Sequence, residues 1–165
     1  MSRPRVIDQE KILDAAEIVV VRDGAARLTL DAVAVEAGIC KASVIYDYKT
    51  KQSLIKAVIE RKVEEEKNKL DSAVERLGPI PNARILGRIA AAADTVQDDM
   101  RSVGINLCSA LAQDADLRSL MQETLRRDIA EVLDTSNNPQ GALLAFLAVE
   151  GLKLLDFLGL HSWPE

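Results

Sequence analysis

Aromatic and histidine side chains are scarce in this sequence of 165 residues. It has two Phe, two Tyr and one Trp, and its single histidine is His161. A Ser-His-Asp or Cys-His arrangement would have to use that histidine, which lies close to the last residue, so catalysis is not expected. One histidine and two distant cysteines, Cys40 and Cys108, do not match the spacing of metal ligands, so neither a metal site nor a cofactor is expected.

Features of secreted and membrane proteins are also lacking. Two cysteines are too few for a disulfide framework. The basic residues of the opening MSRPRVIDQE are not followed by the apolar run of a secretory signal. The most apolar segment, residues 141–160, contains Glu150, Lys153 and Asp156, which disfavours a membrane span. We therefore expect a cytoplasmic protein with no membrane partner.

Helix-breaking residues are few, and hydrophobic residues make up 48% of the chain. This composition allows a sizeable core and favours helices, and no segment has a strand pattern, so the expected fold class is all-α. The net charge of −5 comes entirely from residues 61–165, because residues 1–60 carry nine basic and nine acidic side chains. An anionic partner would therefore dock on the first third of the chain.

Apolar residues at helical spacing, with capping residues and glycines at the ends, predict eight helices. Their approximate bounds are 8–22, 30–37, 40–46, 52–77, 82–98, 100–113, 115–134 and 139–158. Thr29 is a good N-cap for the second helix, and Gly38 ends it. We predict a first domain at residues 1–50 and a second at residues 51–165, connected by the long helix that begins near residue 52.

Two short helices joined by a turn that contains Gly38 have the pattern of a helix-turn-helix. The apolar residues of both helices are spaced to pack inward. The side chains left facing outward are those of Lys41, Ala42, Ser43, Tyr46 and Lys51. We expect Lys41 to contact a guanine edge and Ala42 to allow close approach, its methyl group reaching a thymine methyl. Phosphate contacts are expected from the side chains of Ser43, Tyr46 and Lys51. Another phosphate contact is expected at Thr29, from the backbone N–H groups and the dipole of the helix that starts there.

The run from Leu28 to Leu54, LTLDAVAVEAGICKASVIYDYKTKQSL, resembles the DNA-binding domain of TetR-family transcriptional regulators. Residues 12–16, ILDAA, resemble the first helix of that family. The resemblance covers about residues 8–60 and implies an N-terminal three-helix DNA-binding domain with a helix-turn-helix. It also implies a C-terminal helical domain that dimerises and encloses a small molecule.

Several positions depart from the family pattern. Cys40 replaces the usual Ser, and Ile45 replaces the usual Tyr, so Ile45 is either a base contact or a packing residue. Tyr48 takes the place of a buried Phe and is expected to pack. Asp31 and Asp47 bring carboxylates close to the expected DNA face, where they would repel phosphates or accept a hydrogen bond from cytosine. Cys40 is either a small substitute for Ser or a redox-sensitive thiol.

The last predicted helix is apolar around almost its whole circumference and must be covered on two sides. One side can face its own core and the other a second copy of the chain; the alternative is a central helix of a monomer. The interface residues expected on this helix are Leu144, Ala145, Ala148, Leu152 and Leu155.

An effector pocket is expected among the helices of residues 82–134, and the alternative is a plain core without a cavity. Its expected lining residues are Val96, Met100, Val103, Asn106, Leu107, Leu111 and Met121.

We therefore expect a homodimeric, sequence-specific transcriptional regulator, not an enzyme. It would be a repressor that a small-molecule effector releases from a palindromic operator on double-stranded DNA. Two other interpretations stay open: a helical protein-interaction module that uses the helix-turn-helix as a scaffold, and a helical-bundle enzyme or carrier that binds a small molecule without binding DNA. Duplex binding with a steep negative salt dependence would separate the regulator from the interaction module. Turnover of a compound without DNA binding would favour the enzyme or carrier.

Overall fold

The computed structural model describes residues 9–24, 27–93, 111–112 and 114–161. Within these ranges the regular structure is entirely helical, which confirms the all-α prediction. The helices are α1 (Gln9–Asp23), α2 (Leu30–Ala37), α3 (Lys41–Asp47), α4 (Lys51–Leu77), α5 (Ala83–Ala92), α6 (Ala115–Asp134) and α7 (Pro139–Phe157). Most of the helix predicted at 100–113 lies outside the described residues.

The described chain forms two compact units, and the division falls within α4, after Lys62. The first unit holds α1, α2, α3 and the beginning of α4, and the second unit holds the rest of α4 and α5 to α7. The boundary that we predicted between residues 50 and 51 stays a prediction.

The first unit is built around small and branched side chains. α1 packs on α2, and α2 packs on α3. Among the described residues of this unit, the fully buried side chains are Ile12, Ala16, Val19, Val20, Leu28, Val33, Val44, Leu54 and Val58. On α4, Leu54, Ile55, Val58 and Ile59 are all buried, so the first two turns of this long helix belong to the core of the unit.

Arg61 of α4 connects this helix to α1. Its guanidinium donates to Glu10 and Asp14 over 3.1 and 2.7 Å, and its Nε lies 3.1 Å from Glu17. The neighbouring Lys62 lies 2.8 Å from the other oxygen of Glu17. The Arg61 and Glu17 side chains are only 14% and 17% exposed, so this ion pair is better shielded from water than an ordinary surface pair, whereas Glu10 and Asp14 are mostly exposed.

The second unit packs α5, α6 and α7 against one another. Its core cluster contains Ile85, Val132, Ala142 and Phe146. A Cβ added to Gly87 would lie 2.7 Å from a methyl group of Val74, so the absence of a side chain allows α5 to approach α4 closely.

Candidate nucleic-acid interface

The turn between α2 and α3 is held by backbone and side-chain capping. Thr29 caps α2, and its Oγ1 accepts from the backbone N–H of Ala32 over 3.1 Å. Gly38 adopts φ +64°, a left-handed conformation that costs glycine little. The next N–H, from Ile39, donates to the carbonyl of Ala34 over 3.0 Å. These contacts set the angle at which α3 leaves α2.

α3 is anchored through one fully buried side chain. Val44 is completely buried, and the other residues of α3 keep part of their surface exposed. Lys41, Ala42 and Tyr46 are exposed, and Ser43 is half-buried. Tyr46 has 82% of its surface exposed, an unusually large fraction for an aromatic residue. The helix thus has an outward surface made of a small residue and hydrogen-bonding groups.

Lys41 forms an ion pair with Asp31. Its Nζ lies 2.7 Å from Oδ2 of Asp31, which belongs to the first turn of α2. The side chains are 52% and 64% exposed, respectively. The lysine that we predicted to read a base is therefore held by a carboxylate from the preceding helix.

Ser43 contacts the thiol at the start of α3. Its Oγ lies 3.0 Å from Sγ of Cys40, which is an exposed free cysteine. This hydrogen bond, with those from nearby backbone groups, lowers the pKa of Cys40. A position at the start of a helix favours a thiolate in the same direction. The role of Cys40 as a redox-sensitive group stays a prediction.

The beginning of α4 lies after α3 and is closed by reciprocal hydrogen bonds. Oγ1 of Thr50 accepts from the N–H of Ser53 over 3.0 Å, and Oγ of Ser53 accepts from the N–H of Thr50 over 3.1 Å. This is the arrangement of a capping box with serine in place of the usual Glu or Gln. Lys51 is the first residue of α4 and is half-buried.

Tyr48 and Ile45, which also depart from the family pattern, have different surroundings. Tyr48 is partly buried, and burial raises the pKa of its hydroxyl, as expected of a residue that packs. Ile45 is 41% exposed, so part of its side chain is available for contacts outside the unit.

The predicted effector residues fall mostly outside the described residues. Val96, Met100, Val103, Asn106 and Leu107 lie there, while Leu111 and Met121 are described and half-buried. The pocket stays a prediction. Among the described residues, no group of three or more His, Cys, Asp or Glu side chains is arranged to hold a metal ion.

The predicted interface residues of α7 differ in their surroundings. Leu144 is 69% exposed, and Leu152 and Leu155 are also exposed. Ala148 is exposed, whereas Ala145 packs against the core cluster of Phe146. Ala145 thus lies closer to the core than the other four residues. The dimer interface stays a prediction.

The polar residues of α7 are used within the subunit. Glu150 accepts from Arg88 over 2.8 Å, and Lys153 lies 4.0 Å from Glu66 of α4. Arg88 also pairs with Asp128 over 2.6 Å and lies over the ring of Phe146. Glu150 and Lys153 thus contact neighbouring helices, and leucines remain on exposed parts of α7. In the described ranges, no helix has the length and apolar character needed to cross a membrane.

Sequence reasoning placed the outward residues of α3 but missed the partner of Lys41. The sequence indicates that Asp31 lies near the expected DNA face, where it would repel phosphates or accept from cytosine, but it does not pair Asp31 with Lys41. The available signal was a pair of opposite charges at the first turns of two successive helices. Ten residues separate them, so no helical periodicity brings them together, and the turn geometry has to be known first.

Two family profiles match most of the chain. Residues 12–58 match the family described as "Bacterial regulatory proteins, tetR family". Residues 83–165, half of the chain, match the family described as "Tetracyclin repressor-like, C-terminal domain". No curated protein is a significant match to the sequence.

Solved structures share the fold at low sequence identity. A transcriptional regulator from Rhodococcus sp. Rha1 superimposes with a TM-score of 0.73 and 22% identity, over 93% of this chain and 84% of its own. The multidrug binding protein EbrR complexed with imidazole superimposes with a TM-score of 0.70 and 21% identity, over 94% of this chain and 87% of its own. A protein from Saccharomonospora viridis in complex with choline superimposes with a TM-score of 0.68 and 17% identity, over 89% of this chain and 83% of its own.

Proposed function

Because the chain belongs to the TetR family of bacterial transcriptional regulators, we propose that it is a repressor that binds a palindromic operator as a homodimer. A small molecule bound by the second unit would release it. The observation that carries the proposal is the outward surface of α3, where Lys41, Ala42 and Tyr46 are exposed while Val44 holds the helix to the core.

Family membership confirms two of the sequence-based predictions. The resemblance seen in residues 8–60 was correct, and the regulators of this family are DNA-binding transcription factors without enzymatic activity. A bacterial regulator of this kind meets its DNA in the cytoplasm, and we propose that location for this protein.

The proposed DNA contacts divide into base reading and phosphate binding. Lys41 would donate to the O6 and N7 acceptors of a guanine, and Ala42 would let α3 come close to the base edges. The hydroxyl of Thr29 accepts from the N–H of Ala32 and keeps its own hydrogen for a phosphate. The other phosphate donors of this proposal are Ser43, Tyr46 and Lys51.

Dimerisation is supported by the exposed leucines of α7. Leu144 and Leu147 are 69% and 57% exposed, and they lie on a helix whose polar groups contact other parts of the same subunit. Covering these side chains with a second copy would remove apolar area from water. A two-fold dimer can read two half-sites when its two α3 helices lie about one turn of DNA apart, roughly 34–36 Å.

Effector control would act through the distance between the two α3 helices of the dimer. A ligand that binds more tightly to one arrangement of the dimer shifts the population toward it, by an amount that cannot exceed its differential affinity. The choline and imidazole held by the two similar structures make both compounds reasonable first probes. Leu111 and Met121 are the described residues that we assign to the pocket.

The central test is selection of bound fragments from random duplex DNA by the full-length protein. The expected result is an inverted repeat, with affinity that falls steeply as salt rises. A protein that stays monomeric and binds no duplex at low ionic strength would refute the proposal. Adding choline or imidazole to the selected complex tests release, and a wider panel of small molecules follows if neither acts.

Two substitutions test the proposed contacts on the selected operator. Ser43→Ala should weaken binding to all sequences by about 1 kcal/mol, since one phosphate hydrogen bond is lost. Lys41→Ala should cost about 1–3 kcal/mol and also relax the preference for one base pair. Ser72→Ala and Lys69→Ala, exposed positions of α4 in the second unit, are the matched controls. If Ser43→Ala and Lys41→Ala behave like these controls, the proposed docking surface is wrong.

A further inference from the structure

We infer that Asp31 is a specificity-determining positioning residue, which holds the ammonium of Lys41 for a guanine edge and withholds it from phosphates. The inference rests on the proposed function, because it assumes that α3 docks in the major groove. Asp31 itself need not touch a base, since it acts through Lys41.

The geometry places the ion pair on the proposed reading surface. Asp31 lies in the first turn of α2, Lys41 is the first residue of α3, and 2.7 Å separates Oδ2 from Nζ. Both side chains are more than half exposed, so the pair is accessible to a ligand. It lies close in sequence to Ala42 and Ser43, which we assign to base approach and phosphate binding.

The number of donors on Lys41 favours guanine. A lysine ammonium has three N–H donors, and the contact with Asp31 uses one of them. Two donors remain, and guanine presents two acceptors, N7 and O6, in the major groove. Adenine presents N7 beside an N–H donor, and thymine presents a single acceptor. The ion pair also restricts a flexible four-carbon side chain, so less freedom is lost when the base is bound.

The same carboxylate disfavours misplaced contacts with phosphate. A phosphate that approaches Nζ of Lys41 also approaches the negative charge of Asp31, 2.7 Å from that atom, and the like charges repel. A guanine edge is uncharged and meets no such repulsion. Asp31 should therefore lower the affinity for random DNA more than the affinity for the operator, and discrimination is the ratio of these affinities.

A purely structural role for the pair makes a different prediction. A negative charge in the first turn of α2 is favourable, and a positive charge in the first turn of α3 is unfavourable. Asp31 could therefore act only by stabilising the fold. In that case its loss would affect all DNA sequences equally and would leave the preference for guanine unchanged.

The experiment compares Asp31→Asn with Glu60→Gln in the full-length protein. Glu60 is an exposed acid of the first unit that pairs with Lys56 over 3.8 Å, so its substitution changes net charge equally and leaves Lys41 untouched. Affinities are measured over a range of salt for the selected operator, for operators with each base pair changed in turn, and for random duplex. Thermal unfolding of each variant checks that it folds.

We expect Asp31→Asn to reduce discrimination at one G·C pair by about tenfold, since one bidentate base contact loses its orientation. Binding to random duplex should tighten, and its salt dependence should steepen by about one phosphate equivalent, roughly 0.9 in slope. Glu60→Gln should leave the base preference unchanged. In a Lys41→Ala background, Asp31→Asn should have no effect on base preference, because the two residues act as a unit.

The inference is overturned if the Asp31→Asn variant keeps the guanine preference. It is also overturned if Asp31→Asn changes the base preference by the same amount in the Lys41→Ala background as in the wild type. Asp31→Ser, which places another residue suited to a helix start at this position, decides the question by the same criteria if Asp31→Asn does not fold. A wild-type protein that binds no duplex refutes the proposed function and this inference together. Selective operator binding with a silent Asp31→Asn substitution refutes the inference alone.

Discussion

Replacing Leu144 by Ala should weaken the proposed dimer without damaging the subunit. Leu144 is 69% exposed on α7, whereas the neighbouring Phe146 is 1% exposed and forms part of the core cluster. The substitution therefore removes apolar surface that a second copy would cover, and it leaves the core of the second unit intact.

The size of the effect follows from the exposed fraction of Leu144. Complete burial of a leucine side chain is worth about 1.5–3 kcal/mol, so covering the remaining exposed part would contribute about 1–2 kcal/mol. A two-fold interface contains the residue twice, which doubles the effect to about 2–4 kcal/mol per dimer. At 1.4 kcal/mol per factor of ten, the dissociation constant of the dimer should rise by about 30- to 700-fold.

Sedimentation equilibrium over a range of protein concentrations measures this change directly. Ile18→Ala is the matched control, because Ile18 is an aliphatic residue of α1 with 50% exposure and lies in the other unit. The control should leave the dissociation constant unchanged. Equal constants for Leu144→Ala, Ile18→Ala and the wild type, with all three proteins dimeric, would show that the subunits meet through another surface.

Two further predictions concern the stability of the second unit and the thiol of α3. Phe146→Ala should lower the free energy of unfolding by about 3–5 kcal/mol, because it leaves a cavity in the core; denaturant unfolding measures it, and a loss below about 1 kcal/mol would contradict the assigned burial. The lowered pKa of Cys40 means that its thiolate forms at lower pH than in a free cysteine, so alkylation in a Cys108→Ser background should have its midpoint below that of an unstructured cysteine peptide measured under the same conditions. Ser43→Ala should move that midpoint upward, and an unchanged midpoint would show that the hydrogen bond is not its cause.

Much of the helical structure was predictable because its determinants are local. Thr29 caps α2, Gly38 ends it, and Pro139 is the first residue of α7, as predicted. The predicted helix at 115–134 agrees with α6 at both ends. Each of these features depends on the conformational preference of a residue and on hydrogen bonds to neighbours within a few positions.

The helix predicted at 82–98 ends earlier than expected. α5 ends at Ala92, and Ala93 forms a turn. The run of alanines from Ala90 to Ala93 favours helix at every position, so helix propensity gives no signal for a stop there. Residues 94–98 lie outside the described ranges.

The candidate interface was only partly predictable from sequence. The outward position of Tyr46 followed from the inward position of Val44, since residues two positions apart in a helix lie on roughly opposite sides of its axis, about 200° apart. The pairing of Lys41 with Asp31 did not follow, because it depends on the angle between two helices. The same holds for Arg61, whose partners lie 44 to 51 residues earlier in the chain.

For this protein, residue order alone settled the positions of several helix ends and the inward and outward sides of α3, because backbone preferences and helical periodicity act over a few residues. Packing was needed to bring Asp31 to Lys41, to bind Glu150 and Lys153 of α7 to other helices, and to leave Leu144 exposed. Those outcomes depend on distances between residues far apart in the chain, and such distances exist only once the helices have packed.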